Sequence, residues 1–183
     1  MKELSLNILD IAENSIKAKA LLTEILIGET DDELTIEIID NGCGMSADIL
    51  SRVTDPFYTT RTTRKVGLGI PFFKMEAEMT GGSFEISSRS EKENPDNHGT
   101  DVKAVFMKNH IDYIPLGDVI STVTTLIQGH PDSDFLFRHT KGKEEVSLDT
   151  RELRKELGDV SLAEFEVIKW IGAYLDEQYQ QLK

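Results

Sequence analysis

With a single cysteine in 183 residues, no disulfide can close within the chain, so the fold rests on packing and hydrogen bonds. Basic residues are scarce: 20 Lys and Arg stand against 33 Asp and Glu, a net charge of −13. The deficit is even, with 12 basic against 19 acidic residues in 1–109 and 8 against 14 in 110–183, so no acidic tail accounts for it. A surface of that sign does not attract nucleic acid or anionic membranes, and neither is expected as a partner. Long apolar runs are missing too, which excludes a membrane-spanning helix. The N-terminal MKELSLNILDIAEN has acids where a secretory leader needs an uncharged apolar core. A soluble, cytoplasmic protein is the expectation. Repeats and low-complexity tracts are absent, and the one linker-like stretch is residues 91–99. What the chain does have is 39% apolar residues, enough to bury the core of one mixed α/β domain with a small appendage.

Those apolar residues fall in clear periods. Over residues 4–19, Leu4, Ile8, Ile11 and Ser15 make one line with Leu9, Ala12 and Ile16 beside it, the buried stripe of a helix. Asp10, Asn14 and Lys17 fall at i, i+4 and i+7, so a carboxylate, an amide and an ammonium share one strip. That strip is either a solvated face or a metal and phosphate face, since a carboxamide oxygen is a hard ligand suited to magnesium and a lysine meets phosphate as a point charge. Residues 22–27 and 34–39 read as two strands joined by a polar turn. The second delivers Asp40 into Asp40-Asn41-Gly42-Cys43-Gly44-Met45. By itself this is an ordinary tight turn. At the end of a buried strand it also offers a fixed carboxylate beside backbone that a flat ligand such as adenine can approach closely. Ser46 is placed to cap a short helix through residue 51. Residues 55–65, DPFYTTRTTRK, lack an apolar face and read as a loop. Gly67-Leu68-Gly69-Ile70 follows and opens a helix over residues 71–79, whose first amides and positive dipole end suit an anion, though glycines also serve close packing.

Taken in order, DIAENSIKA, DNGCGM, DPFYTTR, KVGLGIPFFK and the Gly99-Thr100 pair resemble the boxes of the ATP-binding domain shared by gyrase B subunits, heat-shock chaperones, histidine kinases and the mismatch-repair ATPase MutL, the GHKL superfamily. The resemblance covers residues 4–108. It implies a two-layer α/β sandwich of the Bergerat type, binding ATP with Mg2+. By position, Asn14 matches the magnesium-binding Asn, and Asp40 the Asp that accepts from the adenine amino group. Gly42 and Gly44 match the turn lining the base, and Gly67, Leu68 and Gly69 the phosphate-facing turn. Thr100 matches the Thr whose hydroxyl supports the Asp and a water at the adenine. Residues 57–66 match the ATP lid, with Thr59, Thr60 and Arg61 in the binding set and Arg64 and Lys65 as further phosphate contacts. Asp10 stands where hydrolytic members and anti-sigma serine kinases carry a general-base Glu, here one methylene shorter; histidine kinases usually have Asn. Glu13, directly before Asn14, also resembles MutL but lies about 100° around the helix. The lid wording is closer to histidine kinases, yet the first box begins at residue 4, which leaves no room for an upstream helix pair carrying a phosphoacceptor. His98, His110, His130 and His139 read as surface histidines. Cys43 reads as a small residue in the turn, with a thiol close enough to a bound nucleotide for alkylation to block it.

Beyond residue 109 the resemblance stops. Residues 115–129 predict a helix starting at Pro115, with Leu116, Val119, Ile120, Val123, Leu126 and Ile127 on its apolar face. Strands over 135–139 and 145–148 flank Lys141-Gly142-Lys143. A last helix, capped by Ser161 with Glu164, is predicted to run to residue 178, with Phe165, Ile168, Ile171, Leu175 and Tyr179 on one face and Trp170 and Tyr174 off it. Residues 1–109 are thus expected as the nucleotide domain, and 110–183 as an αββα extension or docking module. The functional expectation is a stand-alone histidine-kinase-like catalytic domain acting on a separate protein through residues 110–183. An ATPase switch or a nucleotide sensor is the alternative.

Overall fold

A computed structural model describes residues 2–55 and 68–182. The elements run α1 (Ser5–Lys17), β1 (Leu22–Glu29), β2 (Glu33–Asp40), α2 (Ala47–Leu50), α3 (Gly69–Met79), β3 (Ser83–Arg89), β4 (Gly99–Met107), α4 (Val119–Gly129), β5 (Asp134–Lys141), β6 (Glu144–Asp149), α5 (Thr150–Leu157) and α6 (Phe165–Tyr179). Among the described residues the strands form one sheet in the order β3-β4-β2-β1-β5-β6. Neighbours are antiparallel except β1 with β5, which run parallel. Helices α1, α3, α4 and α6 pack together on one side of it, giving the expected two-layer α/β sandwich. No helix among the described residues is long and apolar enough to cross a membrane.

Alternation along each strand decides which side chains meet the helices. Ile25, Ile38, Val102 and Ile86 stand opposite one another across β1, β2, β4 and β3, and Ile27, Ile36, Ala104 and Phe84 form the next row. Leu4 at the N-cap of α1, Ile8, Ile11 and Ala12 on it, Phe73 and Ala77 of α3, and Val123, Leu126 and Ile127 of α4 join these rows in one core. Burying such side chains is worth roughly 1.5–3 kcal/mol each. One row further along, the same face turns polar: Thr23, Asp40, Thr100 and Ser88 are cross-strand neighbours on β1, β2, β4 and β3.

The tail departs from its predicted boundaries. Helix α4 starts at Val119, not Pro115, because Asp118 accepts the Ser121 amide as N-cap. The carbonyls of Pro115 and Leu116 instead take the Leu4 and Ser5 amides at the open end of α1. Helix α6 starts at Phe165 rather than Ser161; the Ser161 hydroxyl accepts the Ala163 amide within the preceding turn, so no capping box forms. Phe165, predicted on the apolar face, is 70% exposed, because Ile171 and Leu175 define the buried side. Strand β3 and helix α5 were not anticipated. In β3 only Phe84 and Ile86 carry the apolar alternation, and the strongly polar α5 hides its few apolar contacts, Leu153 and Leu157. The tail is therefore an α4-β5-β6-α5-α6 array whose strands continue the sheet of residues 1–109 through β1 and β5.

Candidate functional site

The polar row ends the sheet where β2 leaves it and β4 enters. Asp40 is anchored at both oxygens: Ser15 on α1 donates its hydroxyl to Oδ2 at 2.8 Å, and the Gly42 amide donates to Oδ1 at 2.8 Å. Ser15 occupies the fourth place of the apolar line of α1 and is buried, so the helix stripe delivers one hydroxyl to the strand end. A carboxylate holding charge-assisted hydrogen bonds at both oxygens is fixed in orientation. Thr100, expected to support Asp40, has its hydroxyl 2.9 Å from that of Ser88 instead, and it is Ser15 that reaches Asp40. Thr23, on the other side of Asp40, is fully buried with no hydrogen-bond partner for its hydroxyl.

The turn that follows is held to three neighbours. Asn41 accepts the amides of Leu21 and Leu22, and the Cys43 amide donates to the Ala18 carbonyl at the end of α1. A β-carbon on Gly42 would lie 2.7 Å from that of Ala18, and one on Gly44, where φ is +62°, would lie 1.9 Å from the Arg89 carbonyl oxygen. At both positions a side chain would collide with the chain packed against the turn, so the turn can pack this closely only with glycine. His98 is part of this arrangement. It is half-buried, and its Nδ1 sits 2.5 Å from the Gly42 carbonyl, which can only accept. Cys43 is exposed.

Along α1, Asp10 and Asn14 are one turn apart, and Asp10 faces the opening of α3. A β-carbon on Gly69 would lie 3.3 Å from the Asp10 β-carbon and 3.7 Å from its Oδ2. Leu68 is the N-cap residue of α3, with no side-chain cap on the helix's first amides. Lys17 is directed elsewhere: its ammonium is 3.8 Å from Glu13, which also meets His130 Nε2 at 2.7 Å. The structure thus gathers Asp40, Gly42, Gly44 and Thr100 at one end of the sheet, and Asp10 with Gly69 at the α1–α3 seam. Thr59, Thr60, Arg61 and Gly67 lie outside the described residues, as does the predicted lid with Arg64 and Lys65.

A family model for histidine kinase-, DNA gyrase B-, and HSP90-like ATPases matches residues 2–110. The chain belongs to this ATPase family. Among its relatives, the sensor protein KdpD of Clostridium acetobutylicum is 34% identical over 94 residues, 49% of this chain and 10% of that protein. Sporulation kinase D of Bacillus subtilis is 34% identical over 84 residues, 44% of this chain and 16% of that one. The chain therefore spans a small part of the length of these relatives. In fold it resembles the ATPase domain of Aquifex aeolicus MutL, solved with ADP, at a TM-score of 0.56 and 16% identity, over 81% of this chain and 63% of that one.

The donor set suits the ligands of such an ATPase. Asp40 is a carboxylate fixed in orientation at the sheet end, and the first amides of α3 carry no side-chain cap, the arrangement in which a helix start accepts an anion. Among the described residues no group of three His, Cys, Asp or Glu could hold a metal. The residue expected to hold magnesium, Asn14, stands on α1 one turn after Asp10. Ser15, Ser88 and His98 are the site residues that sequence reasoning passed over. Ser15 was legible as a hydroxyl in an apolar line, whereas Ser88 required strand β3 and its register.

Proposed function

We propose that this chain binds Mg-ATP and is a histidine-kinase-like catalytic domain that phosphorylates a separate protein. The observation that carries the reading is the Asp10 carboxylate set against Gly69, where α3 opens, on the same helix that supplies Asn14 and the Ser15 anchor of Asp40. One helix thereby ties base recognition to the phosphate end. ATP supplies the γ-phosphoryl group. Asp10 orients the acceptor hydroxyl and takes its proton as the new P–O bond forms and the bond to the ADP oxygen breaks. Gly69 and the amides after it stabilise charge on the transferring group.

The protein substrate is recruited through residues 110–183. Support comes from α6, where Trp170 is 50% and Tyr174 38% exposed and the two rings stack at 5.0 Å; exposed aromatics of this kind are enriched at interfaces. A second reading, an ATPase switch, is favoured by the Glu13–His130 contact, which joins the residue before Asn14 to the end of α4, a link between site and tail.

The test is ATP binding and turnover by the purified chain. Asp40→Ala is expected to weaken ATP binding by about 10- to 100-fold, the loss of a charge-assisted hydrogen bond to the base; unchanged affinity would overturn the nucleotide site. Asp10→Asn is expected to keep ATP affinity and abolish transfer of labelled phosphate to protein in a cell extract. Steady phosphate release without a protein acceptor, lost in Asp10→Asn, would replace the kinase by the switch.

A further inference from the structure

The polar row has a proton arrangement that can be counted out. Ser88 Oγ has three partners: the Met45 amide at 2.8 Å, the Gly99 carbonyl at 2.9 Å and the Thr100 hydroxyl at 2.9 Å. An amide only donates and a carbonyl only accepts, so two of the three roles are set. The one Ser88 proton goes to Gly99, and one of its lone pairs takes the Met45 amide. The other lone pair faces Thr100, and two oxygens at that separation need a proton between them. The proton left to fill the gap is that of Thr100. Its hydroxyl is therefore turned toward Ser88, away from the Asp40 side of the row, and what it presents elsewhere is lone pairs. Asp40 is likewise an acceptor, with Ser15 and Gly42 already donating to it. Thr23, the remaining hydroxyl of the row, is fully buried, whereas Asp40 and Thr100 are partly exposed.

From this count, and resting on the nucleotide-site reading above, we infer that Ser88 is a positioning residue that sets base preference: by holding the Thr100 proton it makes the exposed row accept only, so that the row selects a 6-aminopurine nucleotide over a 6-oxopurine one. A rotatable hydroxyl serves a donor or an acceptor equally, and a committed one serves only donors. At position 6 an amino group brings two donors to the row, whereas an oxo group brings an acceptor against acceptors and leaves its one compensating donor at the neighbouring N1–H, a mismatch at position 6 that polar sites reject strongly. Ser88 also ties the Met45 end of the glycine turn to the start of β4 through the same atom, so the base preference and the shape of the turn share one hydroxyl.

The experiment measures Kd for ATP and for inosine triphosphate by calorimetry, in the full chain and in Ser88→Ala, Ser88→Thr and Thr100→Val. The wild type is expected to prefer ATP. Ser88→Ala should shrink that preference by about tenfold, the size of one hydrogen-bond role exchanged, and Ser88→Thr, which keeps the hydroxyl, should restore it. Thr100→Val removes the hydroxyl while keeping its shape and should also shrink the preference, which keeps the test intact if Ser88→Ala does not fold. A purely structural role for Ser88 would weaken both nucleotides alike, and an unchanged ratio in Ser88→Ala or Thr100→Val would overturn the inference while leaving the nucleotide site standing. A wild type that binds neither nucleotide overturns the site itself.

Discussion

Gly44 shows at a single residue how the turn after Asp40 is made. Its φ of +62° is left-handed, and the place of a β-carbon is taken by the Arg89 carbonyl oxygen, 1.9 Å away. Gly44→Ala is expected to lose about 1–2 kcal/mol from the backbone conformation alone, with the displacement of Arg89 in addition. A urea titration should show the lower midpoint, and ATP affinity should fall with it because β3 and the turn move apart. A midpoint equal to that of wild type would show that the turn tolerates a side chain. The neighbouring Asp40 was legible from sequence because a strand of alternating isoleucines leads straight into it. Its partner Ser15 was less so: nothing local says that a serine 25 positions earlier meets that carboxylate.

Strand β5 illustrates the element scale, since its role is decided by what lies on either side. His139, expected at the surface, is 2% exposed, in the core row between Ile27 and Val146. Tyr179 of α6, whose phenol burial holds well above its ordinary range, has its hydroxyl 2.9 Å from His139 Nδ1. Nε2 on the other side of the ring is 3.4 Å from Glu29. Burial depresses the imidazole below its ordinary value against the pull of Glu29, and Lys141 and Lys108 add to the depression. Burial alone would raise Glu29, but the hydrogen bond and charge of Lys108 outweigh it and keep the carboxyl ionised to lower pH than usual. The unfolded chain therefore takes up a proton at His139 as pH falls through about 6.5, while the native chain does not. Stability is full above that pH and declines below it, until the lower native value is reached. The urea midpoint should drop between pH 7.5 and 5.5, and His139→Gln should flatten that drop; an equal slope in both proteins would place the titration elsewhere. The helix starts of the tail were misjudged for a related reason. Pro115 and the Ser161 with Glu164 pair are sound local signals, but the carbonyl of Pro115 was claimed by α1 and Ser161 by its own turn.

At the scale of the whole molecule, β1 pairs along its length with β5, and α1 begins on carbonyls of the 115–116 segment. Residues 1–109 alone would expose an edge strand carrying Ile25 and Ile27 and leave two helix amides unmet, an invitation to aggregation. That fragment is expected to lose cooperative unfolding and fixed near-ultraviolet dichroism; a fragment melting like the intact chain would show that the tail is an independent addition. Interface tests are for this reason better made with Trp170 or Tyr174 substitutions than by truncation. The far edge has its own guard: the Gln178 amide bonds both the N–H and the C=O of Ser147 on β6, as another strand would. By itself the sequence determined the α1 stripe, the strands that lead to Asp40, the glycine turn, the α3 start and the family, because periodicity and turn chemistry are local. Only the tertiary structure decided that the tail would extend the sheet, that Ser15 would hold Asp40, and that Ser88 would hold Thr100. Hydrogen-bond partners 25 or 12 residues apart are chosen by strand register and helix packing, which no stretch of chain encodes alone.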